Sequence, residues 1–395
     1  MNGGTVAPPA TAPADVGGRR VAVVHDWLTG MRGGEAVLEA ILELVPGARL
    51  LTLVHVRGSV APHIESHDPR TSLVQRLPLA RTRYRQYLPV FPFAIEQFDL
   101  DDTDIVISTS HCAAKAVVPT GRARHLCYCH TPMRYAWDQF DAYFGPARVG
   151  RLKSRLYGLA LRHLARWDAA TADRVDRYVA NSHYVAARIG RYYNRIADVI
   201  EPPVDTSFYR PDGSAPGDYF ITVSALVPYK RVDLAIKACG LAGVPLRIVG
   251  NGPEAGRLRR RAGAGVEFIE HCSQTELRSL YRGARALLLT GEEDFGIAPV
   301  EAQACGRPVI ALARGGACET VVHGTTGLLV TEAAAGAFAD AIQSLEEHEF
   351  DPARLRRSAL RFARTRFLER MRASIEDLAA PLSEACGTNE ERLAQ

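Results

Sequence analysis

Short apolar runs alternate along this chain with longer amphipathic stretches rich in alanine and arginine. Runs this compact read as strands buried on both faces, and the stretches between them as crossover helices. The alternation predicts strand–helix–strand units and parallel sheets, an α/β fold class. In the first half the predicted strands are Val21–Val24, Leu50–Val54, Ile105–Ser108, Leu126–Cys129, Tyr178–Ala180 and Val199–Ile200. In the second half they are Tyr219–Ser224, Leu246–Val249, Val266–Ile269, Ala286–Thr290, Val309–Leu312 and Leu328–Val330. Between the halves, paired prolines in Glu201-Pro202-Pro203-Val204-Asp205 force an extended linker. Two Rossmann-like domains, 20–200 and 206–349, with a cleft between them follow from that division. An arginine-rich helical segment covers 350–380. Residues 1–19 lack an apolar core and read as a disordered leader, and 381–395 as a frayed tail.

Candidate chemistry collects at the C-terminal ends of these strands, where open α/β sheets bind ligands. The run Ala286–Thr290 leads to Glu293 and Glu301, with Pro299 to Gly306 reading as a short helix. That places Glu293 in a strand-to-helix loop and Glu301 in the helix's first turn. Carboxylates there suit vicinal hydroxyls, while the N–H groups of Phe295, Gly296, Ile297 and Ala298 can meet an electron-rich partner. A sugar and a ribose would fit such a pair. The plainer reading makes Glu293 a solvated acid and Glu301 a complement to the helix dipole.

Lys230 and Arg231 follow the strand Tyr219–Ser224 at the same edge, where a cation can neutralise a leaving diphosphate. A surface lysine is the alternative. In the first half, Val21–Val24 runs into Gly30, Gly33 and Gly34 before a helical pattern from Ala36. Glycines in such a turn let backbone N–H groups approach a phosphate. The spacing matches neither the dinucleotide fingerprint nor the Gly-Lys-Ser/Thr phosphate loop. His130 ends the strand Leu126–Cys129, with a structural role as the other option; His111 is a second-rank candidate. Asn181-Ser182 reads as a helix cap.

Glu293-Asp-Phe-Gly-Ile-Ala-Pro-Val-Glu301, with Gly306-Arg-Pro-Val-Ile and the glycine-rich run from Gly315, resembles the donor-site signature of the family-4 retaining glycosyltransferases. The resemblance extends over roughly 20 to 370. It implies a GT-B fold, two Rossmann-like domains whose parallel sheets face an interdomain cleft, with the segment 350–380 crossing back to the first domain. It implies donor contacts from Gly33 and Gly34 to a diphosphate, His130 to the sugar's primary hydroxyl, Glu293 to the other sugar hydroxyls and Glu301 to the ribose. Ser-x-Leu-Val-Pro-Tyr-Lys-Arg-Val-Asp and Gly-Glu-Glu-Asp-Phe-Gly-Ile are similar to the subgroup that uses GDP-mannose and makes α-mannosides. The family's usual arginine five positions before the lysine is replaced by Ala225, which leaves Arg231 as a substitute. The nucleobase segment around Val266 to Ser273 departs from the family's Leu-Gly at Ile269-Glu270, so the base is not readable.

Composition narrows this modestly. Of 395 residues, 47% are hydrophobic and 23% charged, the balance of a soluble globular protein. The net charge of +4 is too small to point to nucleic acid. Arginines cluster in Arg76 to Arg85, Arg148 to Arg166 and Arg354 to Arg372, as solvated helix faces or as basic, aromatic-containing faces meeting an anionic membrane or acceptor. Eight scattered cysteines suit reduced thiols in a cytoplasmic protein. Cys127-x-Cys129-His130 lacks the second ligand pair of a zinc site and reads as strand. No Asp-x-Asp metal motif stands at a strand end, so neither a metal nor another cofactor is expected. Partners are then a nucleotide sugar and a carbohydrate, lipid-linked or natural-product acceptor. Another nucleotide sugar (UDP- or ADP-hexose), a nucleotide-sugar 2-epimerase and a non-catalytic nucleotide-sugar binder stay open; a dehydrogenase lacks its glycine fingerprint.

Overall fold

The computed structural model describes residues 12–380. Its first sheet contains β1 (Val21–His25), β2 (Arg49–Thr52), β3 (Arg70–Thr71), β4 (Ile105–Ser110), β5 (Arg124–Cys129), β6 (Arg177–Ala180) and β7 (Ala197–Val199). The order is β3-β2-β1-β4-β5-β6-β7, and every pairing is parallel. The second sheet contains β8 (Phe220–Val223), β9 (Leu246–Val249), β10 (Val266–Ile269), β11 (Leu287–Leu289), β12 (Val309–Leu312) and β13 (Gly327–Val330). Its order is β10-β9-β8-β11-β12-β13, again all parallel. Twelve of these strands coincide with the predicted runs to within a few residues. The extra one, β3, is a two-residue exposed edge strand with no apolar run to betray it.

Each sheet is covered on both faces, which is why its strands are continuous apolar runs. One face of the first sheet packs under the helix Gly33–Leu44 together with the C-terminal helix Arg364–Ala379. Phe367, Leu368, Met371 and Ile375 of that last helix are core residues of the first domain. The chain thus crosses between domains twice, and the crossings pair: Val204 N donates to Phe362 O (3.1 Å) and Arg364 N to Val204 O (3.0 Å). Ion pairs Arg364–Glu43 (2.8 Å) and Arg370–Glu201 (2.7 Å) fix the returning helix.

Two expectations change. Ala14, within the segment read as a leader, is buried, with its N–H on Leu44 O at 2.8 Å, because it covers the end of the first helix. The helix expected from Ala36 begins at Gly33, so Gly33 and Gly34 lie inside its first turn. The rest of the predicted leader, residues 1–11, and the predicted tail from 381 lie outside the described residues. Among the described residues no helix is long and apolar enough to cross a membrane.

Candidate functional site

The polar groups of the second domain are positioned by close backbone approach. β11 ends at Leu289, and the chain then passes Gly291, where a Cβ would lie 2.5 Å from Lys230 Cα. Thr290 Oγ1 donates to Arg231 O (2.8 Å), locking the turn after β8 against the turn after β11. Glu293 pairs with Gly315 as an isolated bridge, and Gly316 N donates to Glu293 O (2.9 Å). A Cβ on Gly315 or Gly316 would lie 2.3 or 2.4 Å from backbone atoms of Glu293 and Phe295. Three glycines therefore determine where Glu293 can stand.

The result is a direct ion pair between Lys230 Nζ and a Glu293 carboxylate oxygen. Their side chains are only 15% and 12% exposed. Burial pulls the Lys230 ammonium down, but the facing carboxylate outweighs it and its pKa stands above the ordinary lysine value. The two groups are adjacent and partly exposed.

Gly296, at φ 88°, caps the helix Ile297–Ala304 in a conformation that favours glycine. The N–H groups of Gly296, Ile297 and Ala298 have no hydrogen-bond partner among the described residues, an anion-ready helix start. Because the helix begins at Ile297, Glu301 lies in its second turn and not in the first. It accepts a hydrogen bond from Tyr281 Oη (2.7 Å). Burial raises its carboxyl pKa to about 7, against the hydrogen bonds from Tyr281 and Tyr209. Phe295 is a core residue, 2% exposed and edge-on to Phe362 at 5.3 Å, so only its backbone can meet a ligand. Arg231 is turned to Asp233 (Nε–Oδ1 3.2 Å) and is 43% exposed, and it is not brought onto the Lys230–Glu293 pair.

Across the cleft, buried carboxylates do the positioning. Asp26, the residue after β1, is fully buried. Its oxygens accept the N–H groups of His111, Cys112, Ala113 and Ala114 at 2.6–2.9 Å. His111 Nδ1 stands 3.1 Å from Asp26 Oδ2. His25 holds Thr109 Oγ1 at 2.6 Å and faces Glu35. Burial raises the Glu35 carboxyl, but His25 outweighs it and the net pKa is low. Burial, then His111 and His25, push the His130 pKa well below the histidine range, so it stands neutral. Among the described residues, the buried Nε2 atoms of both His25 and His130 have no hydrogen-bond partner. Gly34 lies between them: a Cβ there would meet His130 Nε2 at 3.6 Å and His25 Cε1 at 3.7 Å.

The two edges touch. A Cβ on Gly33 would lie 2.8 Å from Ile297 Cδ1. Asp294 reaches into the first domain, taking Arg134 Nε (2.7 Å), Arg188 Nη1 (3.0 Å) and Thr131 Oγ1 (3.0 Å). Its backbone oxygen accepts Ser182 Oγ (2.6 Å). Burial opposes ionisation of Asp294, but the two guanidiniums hold its pKa below the usual range. Ser182 also caps the helix His183–Tyr193, and Asn181 Nδ2 donates to His130 O (3.0 Å). The structure thus gathers Gly33, Gly34, His130, Lys230, Glu293, Gly296 and Ile297 around one cleft. The pattern reading missed Asp26, Arg134, Arg188 and Asp294; the only available signal was a charged residue directly after a buried strand or inside the Glu293–Glu301 loop. Among the described residues no three His, Cys, Asp or Glu side chains form a metal-holding group.

Residues 51–208 match the family "Glycosyltransferase Family 4", and residues 211–362 match "Glycosyl transferases group 1". D-inositol 3-phosphate glycosyltransferase of Mycobacterium tuberculosis is 34% identical over 200 residues, 44% of this chain and 41% of that protein. The chain is therefore matched over less than half the length of that curated relative. Two solved structures illustrate the fold. Anabaena Alr3699/HepE in complex with UDP and glucose has a TM-score of 0.66 at 18% identity, covering 90% of this chain and 99% of that one. Sucrose-phosphate synthase from Thermosynechococcus elongatus has a TM-score of 0.60 at 17% identity, covering 95% and 100%. The architecture of the chain is GT-B.

Proposed function

We propose that this GT-B protein, with its Family 4 and group 1 domains, is a glycosyltransferase that moves a hexose from a nucleoside diphosphate sugar to an acceptor hydroxyl. The observation that carries the proposal is the Lys230–Glu293 pair, largely buried beside an open helix start whose Ile297 meets Gly33 of the other domain. Lys230 and the N–H groups at Gly296 to Ala298 would take the diphosphate charge as it develops on the leaving group. Glu293, freed from Lys230 by the entering phosphates, would orient hydroxyls of the sugar. Neutral His130, its Nε2 otherwise orphaned, would meet the sugar's primary hydroxyl. Glu301 would accept the ribose hydroxyls. Retention at the anomeric carbon would follow from attack on the face the leaving phosphate vacates. With a lysine and backbone amides at the phosphate, turnover should survive chelation by EDTA.

The donor we favour is GDP-mannose, giving an α-mannosyltransferase; its support is the residue pattern from Ser224 to Asp233 and from Gly291 to Ile297. A UDP-sugar is the second reading, since Alr3699/HepE is a complex with UDP or UDP-glucose in its solved structures. The acceptor we favour is carbohydrate-bearing and lipid-linked, used by a cytoplasmic enzyme at the inner membrane face. A thermal-shift panel of GDP-, UDP-, ADP- and dTDP-sugars separates the donors: at 100 times its Kd the right one adds about 2.7 kcal/mol of stability. Free GDP plus a mannosylated acceptor from GDP-mannose confirms transfer, and an isomerised sugar nucleotide in its place overturns it.

A further inference from the structure

The helix Arg151–Ala170 is buried mainly through its C-terminal half. Near its C-terminus Leu161 and Leu164 join the first domain's core. Asp168, fully buried, holds Lys115 Nζ (3.1 Å), Trp137 Nε1 (2.7 Å) and Tyr193 Oη (2.9 Å). The N-terminal half stands out from the body, and of its residues only Ser154 is buried. There Leu152, Leu156 and Leu159 are 75%, 59% and 60% exposed. Spacings of four and three place them in one row along the helix. Single exposed leucines are ordinary on a protein surface, but a row of three beside cations is not.

The flanks of the row are basic. Arg155, Arg162 and Arg166 run along one side and Lys153 lies on the other, all exposed and without an acidic partner among the described residues. From Pro146 to Trp167 the sequence contains neither Asp nor Glu. The helix also connects to the cleft. Tyr157 packs on Phe144 (4.8 Å), and the same segment reaches the second domain through Tyr143–Tyr229 (6.2 Å) and Arg148–Glu254 (3.1 Å).

We propose that this face is the docking surface for an anionic lipid bilayer. The helix lies in the interfacial plane, its leucines at the acyl boundary and its arginines and lysine among the headgroups. A second copy of the chain is a poor occupant, because two such faces would set cation against cation. The docking helix is linked through Phe144 and Tyr143 to Tyr229, the neighbour of Lys230. The surface is independent of the donor chemistry and is tested without turnover.

The test is co-sedimentation of the whole protein with phosphatidylcholine vesicles lacking or containing about 30% phosphatidylglycerol. We expect binding to the anionic vesicles alone, weakened at about 0.5 M salt, where screening shortens to a few ångströms. The triple change Leu152→Ser, Leu156→Ser, Leu159→Ser, and separately Arg155→Glu with Arg162→Glu, should each reduce partitioning at least about tenfold. All five positions are exposed, and an unchanged melting curve verifies folding. A Leu152→Trp reporter should shift its emission to the blue on anionic vesicles. Equal binding by parent and triple variant, no binding by the parent, or equal binding to neutral vesicles overturns the proposal. So does a concentration-dependent dimer that the leucine changes abolish. A nucleotide-sugar thermal shift on the triple variant reads the donor site separately, so failure of one proposal does not mimic failure of the other.

Discussion

At the edge of the second sheet Lys230 and Glu293 are brought together by backbone packing, with Gly291, Gly315 and Gly316 leaving no room for a side chain. At the edge of the first sheet the equivalent work falls to a buried side chain, Asp26, which gathers four consecutive N–H groups and Nδ1 of His111. The first arrangement leaves its charged pair able to open toward a ligand without loosening the scaffold. In the second, the group that positions the histidine also holds the loop, so changing it changes the fold. The two edges should therefore respond differently to equally small chemical changes.

The largest effect is expected at Asp26. Asp26→Ala strands four N–H groups, three of them buried, and removal of a buried, fully bonded carboxylate costs about 3–5 kcal/mol. Denaturant unfolding should show that loss, with donor binding impaired only as far as the protein unfolds. Glu293→Gln is the counterpart. It keeps the size of the side chain but leaves Lys230, 15% exposed, without its carboxylate, so melting should fall, though by less than in Asp26→Ala, while kcat falls by about 100-fold, equivalent to about 2.7 kcal/mol. The contrast between the two edges breaks if Asp26→Ala melts like the parent, or if Glu293→Gln turns over normally.

This difference also explains what could be read in advance. Strands buried on both faces announce themselves as apolar runs, so the two parallel sheets were legible from Val21 to Val330. The Lys230 and Glu293 edge was legible because both residues follow apolar strand runs and Glu293 opens a stretch resembling a donor-site signature. The first-domain edge was not, since one aspartate among many carries no mark of having four N–H partners. Nor does spacing reveal that Asp294, a neighbour of Glu293, faces Arg134 and Arg188 of the other domain. The helix at Ile297 starts earlier than its proline suggests, because Gly296 supplies the left-handed cap.

Glu301 sharpens the comparison through pH. Its carboxyl is raised by burial from an ordinary 4.5 to about 7. The folded protein thus holds a proton that the unfolded chain releases, and stability falls as pH rises from about 4.5 through 7. The full effect is on the order of 3 kcal/mol. Glu301→Gln removes the ionisation, so the free variant should melt above the parent at pH 8 and level with it at pH 4. Ribose hydroxyls bind the ionised form better, so GDP affinity of the parent should rise up to about tenfold between pH 6 and pH 8. In the Gln variant affinity should be weak and flat. A pH-independent GDP affinity in the parent would remove Glu301 from the ribose.

The smallest effect is expected at Arg231, which the sequence offers as a replacement for the arginine absent at Ala225. Replacing a cation that touches the diphosphate would weaken donor use by one to two orders of magnitude, about 1.4–2.8 kcal/mol. The structure gives Arg231 another engagement: its guanidinium rests on Asp233, nearly half exposed, at a residue whose φ of 49° is left-handed. An exposed pair of that kind contributes about 0–1 kcal/mol. Arg231→Ala should therefore change the donor's KM by less than about threefold, or about 0.7 kcal/mol. Arg231→Gly at this left-handed position should match it in kinetics and relieve some backbone strain. A loss of tenfold or more in Arg231→Ala, unaccompanied by a fall in melting temperature, would mean that the guanidinium leaves Asp233 when the donor enters. The second-domain edge would then depend on a mobile side chain as well as on its backbone.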